Sequence, residues 1–462
     1  MKTLAKATTR RLMAAVLVVC AGLWQTGCSS WIDHDLNVDP NNPQNVSLNL
    51  ILPSVEGTLA YNYGSDVSRI SSCWTQQHLG ANRQHEGFYL YTITESDVNN
   101  AWNNMYGTTM INCDIMIKKA TAEGSPAYAA VGKILQAISL GIVTDMWGDV
   151  PYSEAFGGEG VLYPKTDSQQ EIYNTINSLL DDAIATISTP SVTKPGADDL
   201  IYGGDLSKWT KAAWSLKARY AIHTSKPNGL KASTDALAAL AKGFASNADG
   251  MILKFGASET NANPLYSFIS SRTGDIALGP KLIELLNAKN DPRRMMIGDG
   301  LKSTDMIADT TPFGAFHTSP ESPQVLCSYA ELKFIEAEAK FNTGDKPGAK
   351  AAYLAGIAAN MDWYGVSAAD QKTYTDQASV TPSGDITLQQ IMEQKYIALY
   401  TQQESYTDYR RTSYPTLTPT TAGKTVPVRF PTAQNQRLYN GKNLPAGATD
   451  ANWINTPMWW NK

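Results

Sequence analysis

The stretch YAELKFIEAEAKFNTGDKPGAKAAYLAGI, residues 329–357, predicts two helices joined by a tight turn. Apolar residues recur at helical spacing in its first half, residues 329–339. Gly344 lies within Asn-Thr-Gly-Asp, a composition typical of turns, and Pro347 follows where a first helical turn tolerates proline. Alanine and aromatic side chains on both halves can pack against each other. We therefore expect a helical hairpin at this position.

The segments before residue 250 repeat this pattern less clearly. Helical periodicity predicts further helices over residues 96–119, 126–146, 167–187, 209–223, 232–245 and 388–406. Pairs of helices of this length, linked by short turns, are the unit of tetratricopeptide-like repeats. We therefore expect a mostly all-α fold, in which tetratricopeptide-like helix pairs form an irregular α-α superhelix with large loop-rich insertions.

Two parts of the chain lack a clear period. Residues 65–97 and residues 250–325 are irregular, apart from one short helix predicted over 280–288, and residues 407–462 form a tail rich in Pro, Tyr and Trp. We expect residues 46–462 to form a single domain. Its helical body would be residues 46–249 and 326–406, and residues 250–325 would be a loop-rich ligand region.

The first 45 residues predict export and membrane attachment. A basic start, thirteen apolar residues (12–24) and Thr26-Gly27-Cys28 are typical of a signal peptide over residues 1–27. Thirteen residues rise only about 20 Å as a helix, too short for roughly 30 Å of hydrocarbon. We expect acylation of Cys28 and a lipidated tether over residues 28–45. Cleavage without lipidation is the alternative, whereas bulky Val18-Val19 disfavour Cys20 as the modified residue.

Composition excludes several classes of partner and site. Without the predicted signal peptide, 34 basic residues face 43 acidic ones, a net charge near −9, which argues against nucleic-acid binding. Cys73, Cys113 and Cys327 form no CxxC motif and are expected to be buried free thiols. Residues 33–39 resemble a calcium loop, but Val38 and Gln44 occupy its glycine and glutamate positions. We expect no metal and no cofactor.

No catalytic constellation is evident. The carboxylate pairs Asp181-Asp182 and Asp198-Asp199 are expected on an exposed helix end and in a linker. A glycosidase needs two carboxylates that face each other across a cleft, an arrangement that sequence cannot show. His78 and His85 could contact a ligand or lie on a surface loop.

Aromatic and arginine side chains in the irregular stretches give a better indication of function. Exposed aromatic rings stack on sugar rings or hold peptides, while polar groups supply hydrogen bonds. The candidate ligand-binding residues are Trp74, Arg83, Tyr89, Tyr91, Tyr266, Phe313 and Phe316. The alternative is that some of these rings attach the loops to the helical body.

Several motifs together resemble the SusD/RagB family of nutrient-binding outer-membrane lipoproteins of Bacteroidetes-type bacteria. The matching stretches are Cys28, DPNNP (39–43), DMWGDVPYSEA (145–155), KWTKAAWSLKAR (208–219), YAELKFIEAEA (329–339), QKYIALY (394–400) and DYRRT (408–412). They follow one another in order over the predicted mature chain.

The resemblance implies an all-α body that binds a SusC-like TonB-dependent barrel transporter. The protein would be anchored in the outer membrane, face the cell exterior, capture a glycan or oligopeptide without enzymatic action, and close over the barrel as a lid. Trp147 and Asp149 are interpreted as structural, and Arg410 and Arg411 could pair with helix carboxylates or face the barrel. The alternatives are an anchored glycan hydrolase and a tetratricopeptide-type scaffold that binds only protein.

Overall fold

A computed structural model describes residues 46–462. The predicted signal peptide, the tether and Cys28 lie outside the described residues. Within them the chain is predominantly helical, with four short strands, which confirms the predicted all-α class.

The first half of the described chain is mostly helical. Its helices are α1 (Leu48–Asn62), α2 (Ser68–Trp74), α3 (Arg83–Tyr89), α4 (Asn99–Asn104), α5 (Ile111–Ala122), α6 (Pro126–Trp147), α7 (Gln169–Thr186), α8 (Leu206–His223), α9 (Ser225–Asn228) and α10 (Leu230–Leu240). A π-helical segment, Tyr63–Val67, joins α1 to α2, and another, Met105–Met110, joins α4 to α5.

The second half alternates short elements with longer helices. Its helices are α11 (Pro264–Ser271), α12 (Pro280–Ala288), α13 (Arg294–Ile297), α14 (Ala315–Thr318), α15 (Tyr329–Thr343), α16 (Lys346–Trp363), α17 (Ala368–Thr375), α18 (Leu388–Ala398), α19 (Glu404–Thr412) and α20 (Gln434–Asn440). Helices α5 to α8, α10, α15 and α16 pack against one another in succession, which gives the expected stack of helix pairs.

The hairpin predicted over residues 329–357 is present as α15 and α16. The Ser328 side chain caps α15 by accepting a hydrogen bond from the Glu331 backbone. Gly344 ends that helix at φ = 88°, a left-handed conformation that glycine adopts without steric cost. Across the pair, Phe334, Tyr353 and Ile357 are completely buried in one apolar cluster.

Two two-stranded antiparallel sheets connect the irregular regions to the rest of the molecule. Strand β1 (His78–Gly80) pairs with β3 (Ile276–Leu278), and β2 (Met251–Leu253) pairs with β4 (Gln324–Cys327). The first sheet joins the two stretches that lack periodicity in the sequence. The second sheet closes the insertion at its base, immediately before α15.

Several predicted elements differ from the structure. Residues 250–325, where one short helix was expected, also contain α11, α13 and α14, and the C-terminal tail contains α20. Residues 65–97 contain α2 and α3, which the sequence missed because each helix is only seven residues long. The single helix predicted over 388–406 is interrupted between α18 and α19, where Thr401 adopts φ = 65°. The Thr401 carbonyl oxygen accepts a hydrogen bond from Ser68 Oγ at 2.6 Å, which holds the break against α2.

Helix α6 is long and apolar enough to span a membrane by length and composition, but 94% of its most apolar window is buried within the protein. It is therefore a core helix. Gly141 on α6 allows close contact with α8, because a Cβ there would lie 2.1 Å from the Tyr220 hydroxyl oxygen. Cys73, Cys113 and Cys327 are buried free thiols, as predicted.

A buried ion pair connects α8 with α15. Arg219 donates from Nε and Nη2 to the two carboxylate oxygens of Glu331, both at 2.6 Å, and from Nη2 to the Leu326 carbonyl oxygen at 2.7 Å. Both side chains of the pair are 1% exposed. The bidentate hydrogen bonds to Glu331 and the further hydrogen bond to the Leu326 carbonyl oxygen give the N–H groups of the guanidinium partners in place of water.

The same network extends to α6 and α19 through His223. Its Nε2 lies 3.0 Å from Glu404 Oε2, and its Nδ1 lies 3.3 Å from Asp145 Oδ2. Burial disfavours the imidazolium, but these two carboxylates outweigh burial and raise the pKa of His223 to about 9. Burial likewise opposes ionisation of Glu404, yet Arg219, His223 and Lys395 lower its pKa to about 2.

A second buried network joins α15, α18 and α19. Arg411 contacts both carboxylate oxygens of Glu338, at 2.6 and 2.8 Å, and Asp408 Oδ1 at 2.7 Å. Lys395 Nζ lies 2.7 Å from Asp408 Oδ2. Arg410 is buried too and donates to the backbone carbonyls of Asp145 and Val428. Arg411 therefore pairs with helix carboxylates, one of the two roles considered, whereas Arg410 is buried against backbone carbonyl oxygens.

The raised pKa of His223 predicts that the free energy of unfolding falls as pH rises from about 6.5 to about 9. In this window the folded chain keeps the proton on His223, whereas the unfolded chain has released it. The stabilisation is therefore complete below the pKa of the unfolded chain, about 6.5, and is lost above the pKa of the folded chain. The expected loss is at most about 3 kcal/mol, measured by urea denaturation at several pH values.

The variant His223→Gln provides the control for this prediction. It should be less stable than the natural chain at pH 6 and show a flatter dependence of stability on pH between 6.5 and 9. Equal slopes in the two chains would contradict the assignment of this dependence to His223.

Candidate functional site

The candidate residue Trp74 lies in the core and has no exposed surface. It is the last residue of α2, and its indole N–H donates to the Phe88 carbonyl oxygen at 3.0 Å. Its ring makes edge contacts with Tyr406 and Phe430. The prediction of a loop residue available to ligand is therefore wrong for Trp74, because residues 68–74 fold as a helix whose side chains are buried.

His78 and His85 are buried as well, so neither of the two roles considered for them is observed. His78 packs between Phe313 and Tyr400, with ring centroids 5.5 and 5.7 Å away, and His85 lies 4.6 Å from Phe268. Burial lowers the pKa of His78 to about 3 and that of His85 to about 4, so both imidazoles are neutral. The candidate Phe313 is half-buried and packs against the apolar cluster beneath α12.

Arg83 and Tyr266 remain accessible on the loop region. Arg83 forms an ion pair with the buried carboxylate of Asp275, and its side chain is 55% exposed. Tyr266 is half-buried on α11, a helix capped by Asn263. Arg83 is thus largely occupied by holding residues 272–275 against α3, a structural role.

Tyr89 and Tyr91 contact the C-terminal tail. The backbone carbonyl oxygen of Tyr89 accepts from the Thr420 hydroxyl, and the Tyr91 hydroxyl oxygen accepts from the Thr420 backbone N–H. Tyr91 is only 4% exposed, and Tyr89 is half-buried. These tyrosines attach a loop to the rest of the protein, which is the alternative that the sequence left open.

The candidate Phe316 lies at a cleft where the insertion meets the end of the α15–α16 hairpin. We call this space, about 590 Å³ with the solvent at its mouth included, the aromatic cleft. Its principal side chains are those of Asn247, Ile252, Phe316, His317, Tyr329, Asn360, Trp363, Tyr364, Tyr400, Thr401 and Gln402.

Aromatic rings form one side of the aromatic cleft. The Phe316 ring lies 4.7 Å from that of Tyr364 and 6.0 Å from that of Trp363, measured between centroids. Trp363 and Tyr364 follow one another where α16 ends, and Phe316 and His317 lie on α14. His317 Nε2 is 2.8 Å from the Tyr364 hydroxyl oxygen, and burial lowers the pKa of this histidine to about 3.

Polar atoms without partners come from the break between α18 and α19. Tyr400 Oη and Gln402 Oε1 are buried, and neither has a hydrogen-bond partner among residues 46–462. Buried polar groups are nearly always paired, so each such atom calls for an explanation. Because both residues line the aromatic cleft, a ligand with hydroxyl or amide groups is a suitable partner.

Sequence reasoning missed most of the aromatic cleft. Trp363 and Tyr364 continue the helical pattern of α16, and Tyr400 belongs to the family motif QKYIALY, within a stretch predicted as one helix. One feature of the sequence did indicate a binding site here: two bulky aromatic residues stand side by side before Gly365, at the end of a predicted helix. Tyr400 and Gln402 gave no such indication, because an unbroken helix was expected there.

Other cavities and charge clusters are less suitable. A groove of about 810 Å³ includes Trp214, but Lys242 Nζ already lies 4.2 Å from the centroid of that ring. The ligand atoms of Asp145, His223 and Glu404 lie within 4.8 Å of one another and could hold a metal. Both ring nitrogens of His223 already face these carboxylates, and Arg219 Nη1 lies 3.8 Å from Glu404 Oε1, so the three residues form part of the buried ion network.

The carboxylates considered for hydrolysis do not line the aromatic cleft. Asp199 is 3% exposed and accepts from the Trp209 indole at 2.7 Å, and Asp198 accepts from the Tyr128 hydroxyl at 2.9 Å. Both residues lie in the connection between α7 and α8, as expected of a linker, and Asp199 is buried there because it accepts from the backbone N–H groups of residues 201, 202 and 204.

Comparisons with known proteins give the family. The SusD-like family described as starch-binding and associating with the outer membrane matches residues 40–432. No curated protein matches the sequence. A SusD/RagB family protein from Bacteroides thetaiotaomicron, 25% identical, superposes with a TM-score of 0.77 over 90% of this chain and 99% of that chain.

Two further solved structures share the architecture. A chitin-binding protein is 25% identical, with a TM-score of 0.77 over 90% of this chain and 100% of that chain. A chitin-binding SusD homologue from Flavobacterium johnsoniae, 23% identical with a TM-score of 0.69 over 90% of this chain and 97% of that chain, has the same fold. The chain therefore belongs to the SusD-like family.

Proposed function

We propose that this protein is a cell-surface nutrient-binding lipoprotein that captures a glycan, or an oligopeptide, in the aromatic cleft. It would deliver this ligand, as a lid, to a SusC-like TonB-dependent outer-membrane transporter. The observation that carries the proposal is the combination of half-buried aromatic rings with unpaired polar atoms in one cleft. Aromatic faces pack on the apolar faces of sugar rings, and unpaired polar atoms suit hydroxyl groups.

The family supports the outer-membrane assignment, and the chitin-binding neighbours support a glycan ligand. Acylation of Cys28 would anchor the protein in the outer membrane, facing the exterior. We further propose that the protein is not an enzyme, since no Asp or Glu is among the described residues that line the aromatic cleft. Turnover of a glycan by the purified protein would instead support a hydrolase.

We expect Trp363→Ala to weaken glycan binding about tenfold, because tryptophan is enriched among the few interface residues whose truncation to alanine is costly. A glycan and peptide array on the mature chain would first identify a ligand, and calorimetry would then compare the variants. Tyr439→Ala is the matched control, because Tyr439 is 73% exposed and lies outside the aromatic cleft.

Tyr400→Phe distinguishes a binding role from a structural one. Since the Tyr400 hydroxyl has no partner, its removal should not lower the free energy of unfolding. It should nevertheless weaken ligand binding by about two- to tenfold, the value of one hydrogen bond. If both Trp363→Ala and Tyr400→Phe bind the ligand with unchanged affinity, the ligand binds outside the aromatic cleft. If the natural chain binds no glycan and no peptide, a protein-binding scaffold is favoured.

Attachment and delivery form a separate test. Cys28→Ala should fold and bind ligand with unchanged affinity, yet reduce uptake by cells, because acyl chains supply the membrane attachment. Purification of the natural chain from membranes should also recover a large β-barrel protein. Recovery of the protein only as a free monomer would contradict its role as a lid on the transporter. Undiminished uptake by the Cys28→Ala variant would mean that contact with the barrel is enough to hold the protein in place.

A further inference from the structure

We propose that the packing of residues 78–89 on residues 264–278 opens in acid, because it encloses two histidines that have no partner for a proton. We call this packing the histidine contact. It consists of β1 and α3 on one side and of α11 and β3 on the other. Acidification would loosen it while the α15–α16 hairpin and the rest of the helical body stay folded.

His78 lies between two parts of the chain that are far apart in sequence. Its ring, on β1, is completely buried between Phe313 at 5.5 Å and Tyr400 at 5.7 Å, measured between ring centroids. Neither ring nitrogen has a hydrogen-bond partner among residues 46–462. The titratable and charged groups that face it are His85, His317 and Arg69. None of these is a carboxylate, so an imidazolium here would be a buried cation without a counter-charge, which is costly.

His85 on α3 has a similar environment. It is 3% exposed, and its ring centroid lies 4.6 Å from that of Phe268 on α11 and 5.1 Å from that of Phe88. Its two ring nitrogens also lack hydrogen-bond partners in the described part of the chain. The ring therefore fills an aromatic space between the two sides of the contact, and it does so as a neutral group.

The charges around His85 do not favour a proton either. Two cations face it, Arg69 and Arg272, and the carboxylate that faces it is Asp275. That carboxylate is completely buried and forms ion pairs with Arg83 and, at 3.9 Å, with Arg272. Because guanidinium groups already pair with Asp275, it cannot compensate for the burial of an imidazolium.

Opening of the contact would return both imidazoles to water, where the ordinary pKa of histidine is about 6.5. In the closed protein, burial and the nearby cations lower the pKa of His78 to about 3 and that of His85 to about 4. Above about pH 6.5 neither form binds these protons, and the closed form keeps its full stability. Between about pH 6.5 and 4 only the open form binds them, so the equilibrium shifts towards opening as the pH falls.

The β1–β3 sheet is the part of the contact whose opening can be followed. Each of its strands is three residues long, so little backbone pairing has to break. Two flanking hydrogen bonds report on it: the Ala81 N–H donates to the Asp275 carbonyl oxygen at 2.8 Å, and the Gly279 N–H donates to the Gln77 carbonyl oxygen at 2.9 Å. Exchange of these amide hydrogens with solvent requires the contact to open.

The test is hydrogen exchange of the mature chain between pH 7 and pH 5, read by mass spectrometry as protection factors corrected for the intrinsic pH dependence of exchange. We expect protection of residues 76–82 and 275–280 to fall by about twentyfold for each of the two histidines, a fall that begins near pH 6.5. Peptides from the α15–α16 hairpin should remain better protected than these residues at both pH values.

His78→Leu and His85→Leu assign the effect to the two side chains. Leucine fills a similar volume and binds no proton, so each variant should remove about twentyfold of the fall in protection. His223→Gln is the matched control. It removes a buried histidine outside the histidine contact, and the fall at residues 76–82 and 275–280 should be unchanged.

Three results would overturn the proposal. The first is protection of the natural chain that does not fall between pH 7 and pH 5. The second is equal protection of the sheet and the hairpin at pH 5, because the whole chain would then unfold together. The third is an undiminished fall in both leucine variants. Should these variants fail to fold, the natural chain decides: a fall that begins only near pH 4 belongs to carboxylates and contradicts the proposal.

The histidine contact goes beyond the proposed function but has a consequence for it. His78 packs on Tyr400, which lines the aromatic cleft, so a ligand captured there as proposed above would bind less tightly in acid. The exchange experiment itself uses no ligand. Its failure would leave ligand capture intact, and failure of ligand capture would leave the acid-dependent opening intact.

Discussion

The bidentate ion pair between Arg219 and Glu331 is the contact on which the helical body depends. It joins α8 to α15 in the absence of water, and through His223 and Glu404 it extends to α6 and α19. Loss of one partner from such a pair leaves an uncompensated buried charge, which typically costs about 3–5 kcal/mol. The buried charges of the family motifs in this chain thus act as scaffold. They fix how the helices pack.

The position of the aromatic cleft follows from that packing. Lys395 and Asp408 pair across the break between α18 and α19, so the short segment that carries Tyr400, Thr401 and Gln402 cannot continue as helix. The second sheet holds the base of the insertion against α15, and Phe316 then reaches the Trp363 ring at the end of α16. A cleft fixed by buried ion pairs needs little reordering when a ligand binds, and such preorganisation favours affinity.

The helical hairpin, the class of fold and the family were all predictable from the sequence, because periodicity and motif spacing are local properties. The aromatic cleft was not. Phe316 lay in an irregular stretch and was identified, but Trp363 and Tyr364 share the periodicity of a scaffold helix, and Tyr400 required knowledge of a helix break. Trp74 shows the opposite error: its neighbourhood lacked a period, yet π-helical and short α-helical turns bury it completely. Tertiary contacts decide which aromatic residues are buried, and a single sequence carries no local pattern that reveals those contacts.

The most direct test of the account is a crystal structure of the protein with N-acetylchitotetraose or maltotetraose bound. The account predicts a sugar ring packed against Phe316 and Trp363, with ligand hydroxyl groups about 2.7–3.0 Å from Tyr400 Oη or Gln402 Oε1. A ligand bound instead on the loop surface around Arg83 and Tyr266, with the aromatic cleft unoccupied, would contradict it.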